Sequence, residues 1–400
     1  MKKGNVFFLV LLVFLFSISI VKVVEAMPVF ARRYSLSCEV CHVGMPKINS
    51  FGEDFAGNGY QLPDEDVRQH GVDLKEEKLL LLPAIPLAVR ADMFLRARGD
   101  TDTHSDIQSP FLMKLLSSAP ITNNISYYFY FLFTERGSVT GIEDAFIFFN
   151  NFYKGQDLDL RFGQFQVSEI LFPREQRLTF QDFTYYITAV SDSGFKLTYD
   201  RAAELSYSFE VTKDVGMSLV AATANGNGIG LADSDRNFDS DDFKNFYGKV
   251  SLKTDRHKIG VYSYYGRERN SQHISNDFFR VGPDFNFIFL DDVNLWGNFL
   301  YGEDNNPAFS SASQQMIKSR GGLVGLTYPF SEDWILSLLY NIVEVNERAK
   351  LNAETFTANI SYYHMLNFKI MVEFTGDLKE ESPSHPQKTH NGVIGLVLAF

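Results

Sequence analysis

The sequence predicts an all-β fold, a 16-stranded antiparallel transmembrane β-barrel with a small N-terminal segment that carries a c-type haem motif. Two observations predict the barrel. Within residues 84–400, apolar and polar side chains alternate, as where Val89 and Met93 flank Arg90 and Asp92. Aromatic residues make up 15% of the chain, with 38 Phe and 19 Tyr, as expected where aromatic girdles mark both lipid interfaces.

The first 26 residues have the pattern of an export signal. Two lysines follow Met1, an apolar run extends from Val6 to Val21, and small Ala26 ends a cleavage sequence. We therefore predict that residues 1–26 form a signal peptide that is removed. The alternative is an uncleaved N-terminal anchor, since the apolar run approaches the length that spans a bilayer.

Residues 27–83 form a predicted monohaem cytochrome c-like segment. Its motif Cys38-Glu39-Val40-Cys41-His42 has the C-x-x-C-H spacing at which two thiols bond covalently to a haem. We expect one haem c, with Cys38 and Cys41 attached to it and His42 as the proximal iron ligand. A redox-active disulfide is the alternative, but it expects a βαβ setting that the sequence lacks. The segment is too short for a core of its own, so we expect a plug docked to the barrel.

The second axial ligand decides what the iron can do, because an open position admits small molecules and a methionine raises the potential. Met45 lies only three residues beyond His42, too close to reach the opposite face of the ring readily. Met93 and Met113 fall in the register predicted to face lipid. His70 is the candidate distal ligand, and its alternative role is a solvated histidine in a charged loop.

Residues 84–400 are predicted to form the porin-like barrel. Short turns alternate with long polar loops, as in bacterial outer-membrane barrels, and an even strand count returns both ends to the periplasm. The sixteen segments begin with 85–98 and end with 389–400, and the alternative is a count that differs by two. The longest connection, about 167–202, is predicted to fold inward and narrow the pore. An extra strand pair within 178–200 is the alternative.

The formal net charge of −12 argues against nucleic-acid partners, which favour basic surfaces. One predicted outer loop is strongly acidic and would concentrate cations such as Fe(II) near the pore. Its acidic residues are Asp233, Asp235, Asp239, Asp241 and Asp242.

The N-terminal motifs resemble those of a known family. Residues 28–32 (Pro-Val-Phe-Ala-Arg), 38–42, 46–52 and 55–60 together look like the N-terminus of the fused monohaem cytochrome c–porins, outer-membrane electron-transfer proteins best known from iron-oxidising bacteria. The similarity in motif covers about residues 28–60, and the barrel matches in architecture only. The resemblance gives Cys38, Cys41 and His42 the family's haem-binding roles and supplies no distal ligand.

Together, the residues and the resemblance imply an electron conduit in the outer membrane of a Gram-negative-type bacterium. An extracellular donor, for which Fe(II) is one candidate, would reduce the haem at the outer side of the barrel, and a periplasmic cytochrome or other carrier would collect the electron. Extracellular Fe(II) oxidation is the enzymatic reaction that the resemblance implies, and the residues leave it open. An enzyme with an open iron position is a further alternative, and so is electron flow in the reverse direction, towards an outside acceptor. The alternative function is a diffusion porin whose haem segment acts as a gate or sensor.

Overall fold

The computed structural model describes most of the barrel and the first half of the haem segment. The predicted signal peptide and His70 lie outside the described residues. The described residues are 29–62, 82, 85–99, 105–153, 155–239, 241–290, 292–346, 351–379 and 390–400.

Sixteen antiparallel strands form one closed barrel, as the sequence predicts. Each strand pairs with the next, and the last pairs with the first from Asn391–Arg98 to Ala399–Arg90. With β1 and β2 in the N-terminal segment, the barrel strands are β3 (Leu87–Arg98), β4 (Ser105–Thr122), β5 (Ile125–Glu135), β6 (Gly141–Phe149), β7 (Leu158–Gln166), β8 (Tyr199–Thr212), β9 (Val215–Ala224), β10 (Asn245–Lys253), β11 (His257–Arg269), β12 (Ser275–Phe289), β13 (Val293–Asp304), β14 (Ile317–Ser331), β15 (Trp334–Val345), β16 (Ala353–Met365), β17 (Phe368–Asp377) and β18 (His390–Ala399).

Apolar side chains cover the outside of the barrel, and charged side chains are buried in its lumen beside an apolar cluster that includes Phe278, Leu300 and Leu323. Charged Lys114 and Arg280 are 1% and 4% exposed, whereas apolar Phe162 and Val372 are 61% and 57% exposed. The apolar side chains point outward because successive residues of a strand face opposite sides of the sheet. This arrangement suits a cylinder surrounded by lipid, and it identifies an outer-membrane barrel.

The two ends of the barrel differ in the length of their connections. Turns of two residues join strands at 213–214, 332–333 and 366–367, whereas loops at 225–244 and 305–316 leave the opposite end. In outer-membrane barrels the short turns are periplasmic and the long loops are extracellular. The start of β3 and the end of β18 therefore lie at the periplasmic end.

The connection between β7 and β8, here called the inward loop (residues 167–198), folds into the lumen. It contains a 3₁₀-helix at Arg174–Gln176 and the short helix Thr184–Ile187, and no strand. The backbone amides of Phe180 and Gln181 donate to the Glu373 carboxylate on β17 at 2.7 and 2.8 Å. On the other side, the Tyr186 hydroxyl donates to Asn298 on β13 at 3.1 Å. The predicted constriction is confirmed, and the alternative strand pair is wrong.

The N-terminal segment, here called the plug (residues 29–62), is a compact set of short elements. They are α1 (Val29–Tyr34), α2 (Cys38–Cys41), β1 (His42–Gly44), β2 (Lys47–Ile48) and α3 (Ser50–Gly57). Helix α3 begins where the Asn49 side chain accepts the Gly52 amide at 2.9 Å, an N-cap that satisfies one of the free donors of the first turn. Among the described residues, no helix is long and apolar enough to cross a membrane.

The plug closes the periplasmic mouth of the barrel. Gln61 donates to the Thr122 carbonyl at 3.2 Å, and the Tyr363 hydroxyl donates to the Met45 carbonyl at 3.0 Å. Asn150 donates to Asn58 at 2.8 Å. Thr122 and Tyr363 lie beside two-residue turns, and the Asn124 side chain of the turn 123–124 donates to the Asn150 carbonyl at 3.0 Å, so the motif is at the periplasmic end. The expectation of a motif that meets its donor at the outer side is wrong, because these contacts hold the plug at the opposite end of the barrel.

Candidate functional site

The plug brings the two thiols and the imidazole of the motif together. Cys38 and Cys41 are the first and last residues of α2, one helical turn apart, and the His42 amide closes that turn onto the Cys38 carbonyl. Helix α3 holds this turn in place through Asn49, whose side chain donates to the Val40 carbonyl at 3.1 Å. Gly52 permits the contact, since a Cβ there would lie 2.3 Å from the Cys41 carbonyl oxygen.

Cys38, Cys41 and His42 line one cavity of about 290 Å³ inside the barrel, here called the inner chamber. Part of its wall is aromatic. Tyr60 of the plug stacks on Tyr128 of β5 with ring centroids 5.5 Å apart, and Tyr128 stacks on Phe146 of β6 at 5.2 Å. An apolar, ring-lined cavity next to two thiols has the chemical character that a tetrapyrrole requires.

The protonation states of the motif also fit haem attachment. Burial raises the pKa of the Cys38 and Cys41 side chains, so both remain thiols at neutral pH. Burial lowers the pKa of His42, although the carbonyl groups of Pro46 and Lys47 oppose that shift. The neutral imidazole is the form that binds iron. Its Nδ1 atom is buried and has no hydrogen-bond partner among the described residues. The donor set therefore fits a c-type haem.

The inner chamber contains a buried methionine as well as His42. His70 lies outside the described residues, and among those described His42 is the only histidine that lines the inner chamber. Met45, which the sequence analysis set aside, is buried and lines the same chamber. Met113 is 37% exposed on the outer face of β4, as its predicted lipid-facing register requires.

A layer of polar side chains ends the inner chamber on the side away from the plug. Arg90, Lys114, Glu175 and Tyr199, here called the partition, line both this chamber and a second cavity of about 310 Å³. Lys114 forms an ion pair with Glu175 of the inward loop and lies 3.5 Å from Glu143. The Tyr199 hydroxyl donates to Glu175 at 3.4 Å.

The charge of the partition keeps Glu175 ionised. Burial works to raise the pKa of Glu175, but the nearby cations Lys114, Arg177 and Arg90 outweigh it and lower the pKa below its usual 4.5. The loop carboxylate is therefore a permanent partner of Lys114 at neutral pH. The pairing of Glu175 with Lys114 on β4 depends on the fold-back of the inward loop, which no local pattern in the sequence encodes.

The second cavity, here called the outer chamber, opens towards the extracellular loops. Glu135 at the outer end of β5 and Gly228 in the loop 225–244 belong to its wall. The two chambers therefore adjoin inside the barrel and share the four side chains of the partition. Neither the chambers nor their shared wall was predicted.

The carboxylates of the acidic outer loop accept hydrogen bonds from the loop's own backbone and pair with neighbouring side chains. Asp233 accepts the amides of Asp235 and Asn237 at 2.9 and 2.8 Å, and Asp239 forms an ion pair with Lys244. In the part of the chain that the structure describes, no group of three or more His, Cys, Asp or Glu side chains is placed to hold a metal ion.

Comparison with solved structures identifies the fold. The outer membrane channel DcaP of Acinetobacter baumannii superposes with a TM-score of 0.56 at 13% identity, covering 79% of this chain and 97% of that one. An anion-selective porin from Comamonas acidovorans gives 0.55 at 13% identity, covering 79% and 99%. Salmonella typhi OmpF gives 0.51 at 12% identity, covering 79% and 98%.

These similarities establish a porin fold, and the chain is an outer-membrane protein of a Gram-negative-type envelope. At 12–13% identity they carry no information about substrate or cofactor. No protein-family model matches the sequence, and no curated protein matches it.

Proposed function

We propose that this chain holds one haem c covalently at Cys38 and Cys41, with His42 as the proximal ligand, and passes electrons across the outer membrane. An extracellular donor would deliver the electron through the outer chamber, and a periplasmic cytochrome or other carrier would receive it at the plug. Fe(II) is one candidate donor, and it comes from the resemblance of residues 28–60 to the cytochrome–porins rather than from the barrel.

The observation that carries this proposal is the pair of adjoining chambers. The hydrocarbon core of the membrane is ~30 Å thick, more than one haem can bridge from either surface. The inner chamber lies within the barrel and shares Arg90, Lys114, Glu175 and Tyr199 with the outer chamber. A donor in the outer chamber would thus contact the same four side chains that border the cavity at Cys38 and Cys41.

The residues of this chain have separate tasks in the proposal. Cys38 and Cys41 anchor the ring, His42 supplies a neutral imidazole, and the aromatic wall excludes water. When bound, the haem supplies a one-electron Fe(III)/Fe(II) couple. The ion pair between Lys114 and Glu175 adds to the contacts with Glu373 and Asn298 that hold the inward loop across the lumen, so the route admits electrons while bulk solutes are held back.

Transfer across vesicles tests this proposal. The haem-loaded chain is inserted into lipid vesicles that enclose an oxidised soluble cytochrome, and a membrane-impermeant reductant is added outside. We expect reduction of the enclosed cytochrome, and no reduction with a Cys38→Ser, Cys41→Ser double variant that retains the barrel. Equal rates for the two proteins would refute electron transfer through the motif.

The second candidate function is a diffusion porin whose haem-bearing plug acts as a gate or sensor. The comparisons favour it, because the similar structures include an outer membrane channel and an anion-selective porin. A third cavity of about 480 Å³ also lies beside the plug, lined by polar groups such as Asp284 and Asn294. Planar-bilayer recordings distinguish the two. A steady, porin-sized conductance that does not depend on haem would support the porin, and a closed barrel would support the conduit.

A further inference from the structure

The outer chamber has an excess of positive charge. Its wall contains six cationic and four acidic side chains. The cations are Arg90, Lys114, Arg174, Arg177, Lys196 and Lys369, and the acids are Asp92, Glu135, Glu143 and Glu175. The lining of this cavity therefore differs in sign from the whole chain, whose formal charge is −12.

Three of the cations are already neutralised by close partners. Arg90 donates to both carboxylate oxygens of Asp92 at 2.8 and 2.7 Å. Lys114 is paired with Glu175, and Arg174 with Asp182. These pairs belong to the wall and its attachment to the inward loop. A fourth cation, Arg177, lies 4.0 Å from the same Asp182 carboxylate, so Lys196 and Lys369 are the lining cations left for a ligand.

Lys369 and Lys196 have no carboxylate at ion-pair distance among the described residues. Lys369 is 2% exposed, and its ammonium donates one hydrogen bond, to the Leu178 carbonyl at 3.2 Å. Three donors are available on an ammonium, and burying its charge without a counter-ion is costly. The nearby Glu373 carboxylate is occupied by the amides of Phe180 and Gln181. Lys196 is exposed on the inward loop.

An aromatic cluster forms another part of the chamber wall. The rings of Phe94, Phe111 and Phe180 lie 4.8–5.2 Å apart in tilted and edge-to-face arrangements. All three line the outer chamber. A site with free ammonium groups and a ring-lined wall matches a ligand that has an anionic group and an apolar part.

We propose that the outer chamber binds a small organic anion bearing carboxylate groups, with Lys369 and Lys196 as its cationic contacts and the aromatic cluster against its apolar part. This assignment deepens the proposed function, since a donor that reaches the partition from outside must occupy this chamber. An electron donor would then arrive as an organic acid or as a metal chelated by one. A bare hydrated metal cation would meet the excess positive charge and be disfavoured.

Equilibrium binding of citrate to the haem-loaded full chain in detergent tests the assignment by isothermal titration calorimetry. The variant is Lys196→Glu, which reverses one exposed charge in the chamber. The matched control is Lys213→Glu, an exposed lysine in the periplasmic turn between β8 and β9. We expect the affinity for citrate to fall at least about fivefold in the first variant and to change less than about twofold in the control.

A second variant, Lys369→Met, keeps the length of the buried side chain and removes its charge. This variant should weaken citrate binding at least as strongly as Lys196→Glu does. Inorganic phosphate, a probe that lacks the apolar part, should bind the wild-type chain more weakly than citrate. Absent citrate binding, or equal affinities for the Lys196 and Lys213 variants, would overturn the assignment. Because calorimetry does not read haem reduction, either result leaves the electron-transfer proposal to its own test.

Discussion

Neutralising Glu175 tests whether the partition holds the inward loop in the lumen. In Glu175→Gln the side chain keeps its size and loses its charge, so Lys114 is left with Glu143 at 3.5 Å as its nearest carboxylate. The loop then loses the charged anchor that ties it to β4. We expect the loop to leave the lumen more often, which enlarges the open cross-section of the barrel.

The size of the effect follows from burial. Breaking a fully buried ion pair costs about 3–5 kcal/mol, because a charge remains without a partner. The side chain of Lys114 is 1% exposed, but that of Glu175 is 28% exposed. Since Glu143 also remains as a partner, we expect about 2 kcal/mol. This corresponds to a ~30-fold shift in the ratio of closed to open loop.

Single-channel recording in planar bilayers measures this shift directly. The wild type should remain mostly closed, and Glu175→Gln should open in discrete steps for a larger share of the time. Asp192→Asn is the matched control, because Asp192 is an exposed carboxylate of the same loop. Identical traces for the wild type and Glu175→Gln would refute the argument that this ion pair closes the loop.

Three further predictions follow from the plug and the partition. Gly44→Ala should weaken plug docking by about 1–3 kcal/mol and raise the protease sensitivity of the plug, since a Cβ there would lie 2.3 Å from Ile335. Gly57→Ala is the control: a Cβ there has no atom within 4 Å, so protease sensitivity should not increase. The pKa of Glu175 is lowered from 4.5, so its stabilisation of the closed inward loop is present above pH 4.5 and is lost as the pH falls through the lowered pKa. The conductance of the barrel should therefore rise only below pH 4.5. His42→Ala should retain covalent haem through the two thioethers but shift its absorption bands, because an axial ligand is lost; unchanged bands would contradict that role.

The barrel could be predicted because its determinants are local. The alternation of apolar and polar side chains along β3 and β18 identifies strands whose inner and outer faces differ. The lengths of the turns show which end of the barrel is periplasmic. The first and last predicted segments, 85–98 and 389–400, agree with β3 and β18 to within two residues. The C-x-x-C-H motif is equally local, since both thiols and the imidazole lie within one turn of α2.

The arrangement of the site could not be predicted, because it depends on contacts between distant segments. Lys114 and Glu175 are 61 positions apart, and only the fold-back of the inward loop brings them together. The position of the plug at the periplasmic mouth follows from Met45 bonding to Tyr363, 318 positions away. No spacing in the sequence indicates these contacts. For this reason the sequence predicted a motif that meets its donor at the outer side, whereas the structure has the motif at the periplasmic end.

The central claim is that a haem is bonded to Cys38 and Cys41 inside the barrel. Intact-mass measurement of the exported, folded protein, combined with haem staining after denaturation, tests it most directly. We predict the mass of one haem per chain that survives denaturation and disappears in the Cys38→Ser, Cys41→Ser double variant. A folded barrel whose mass is that of the polypeptide alone, after export from cells able to attach haem, would contradict the account.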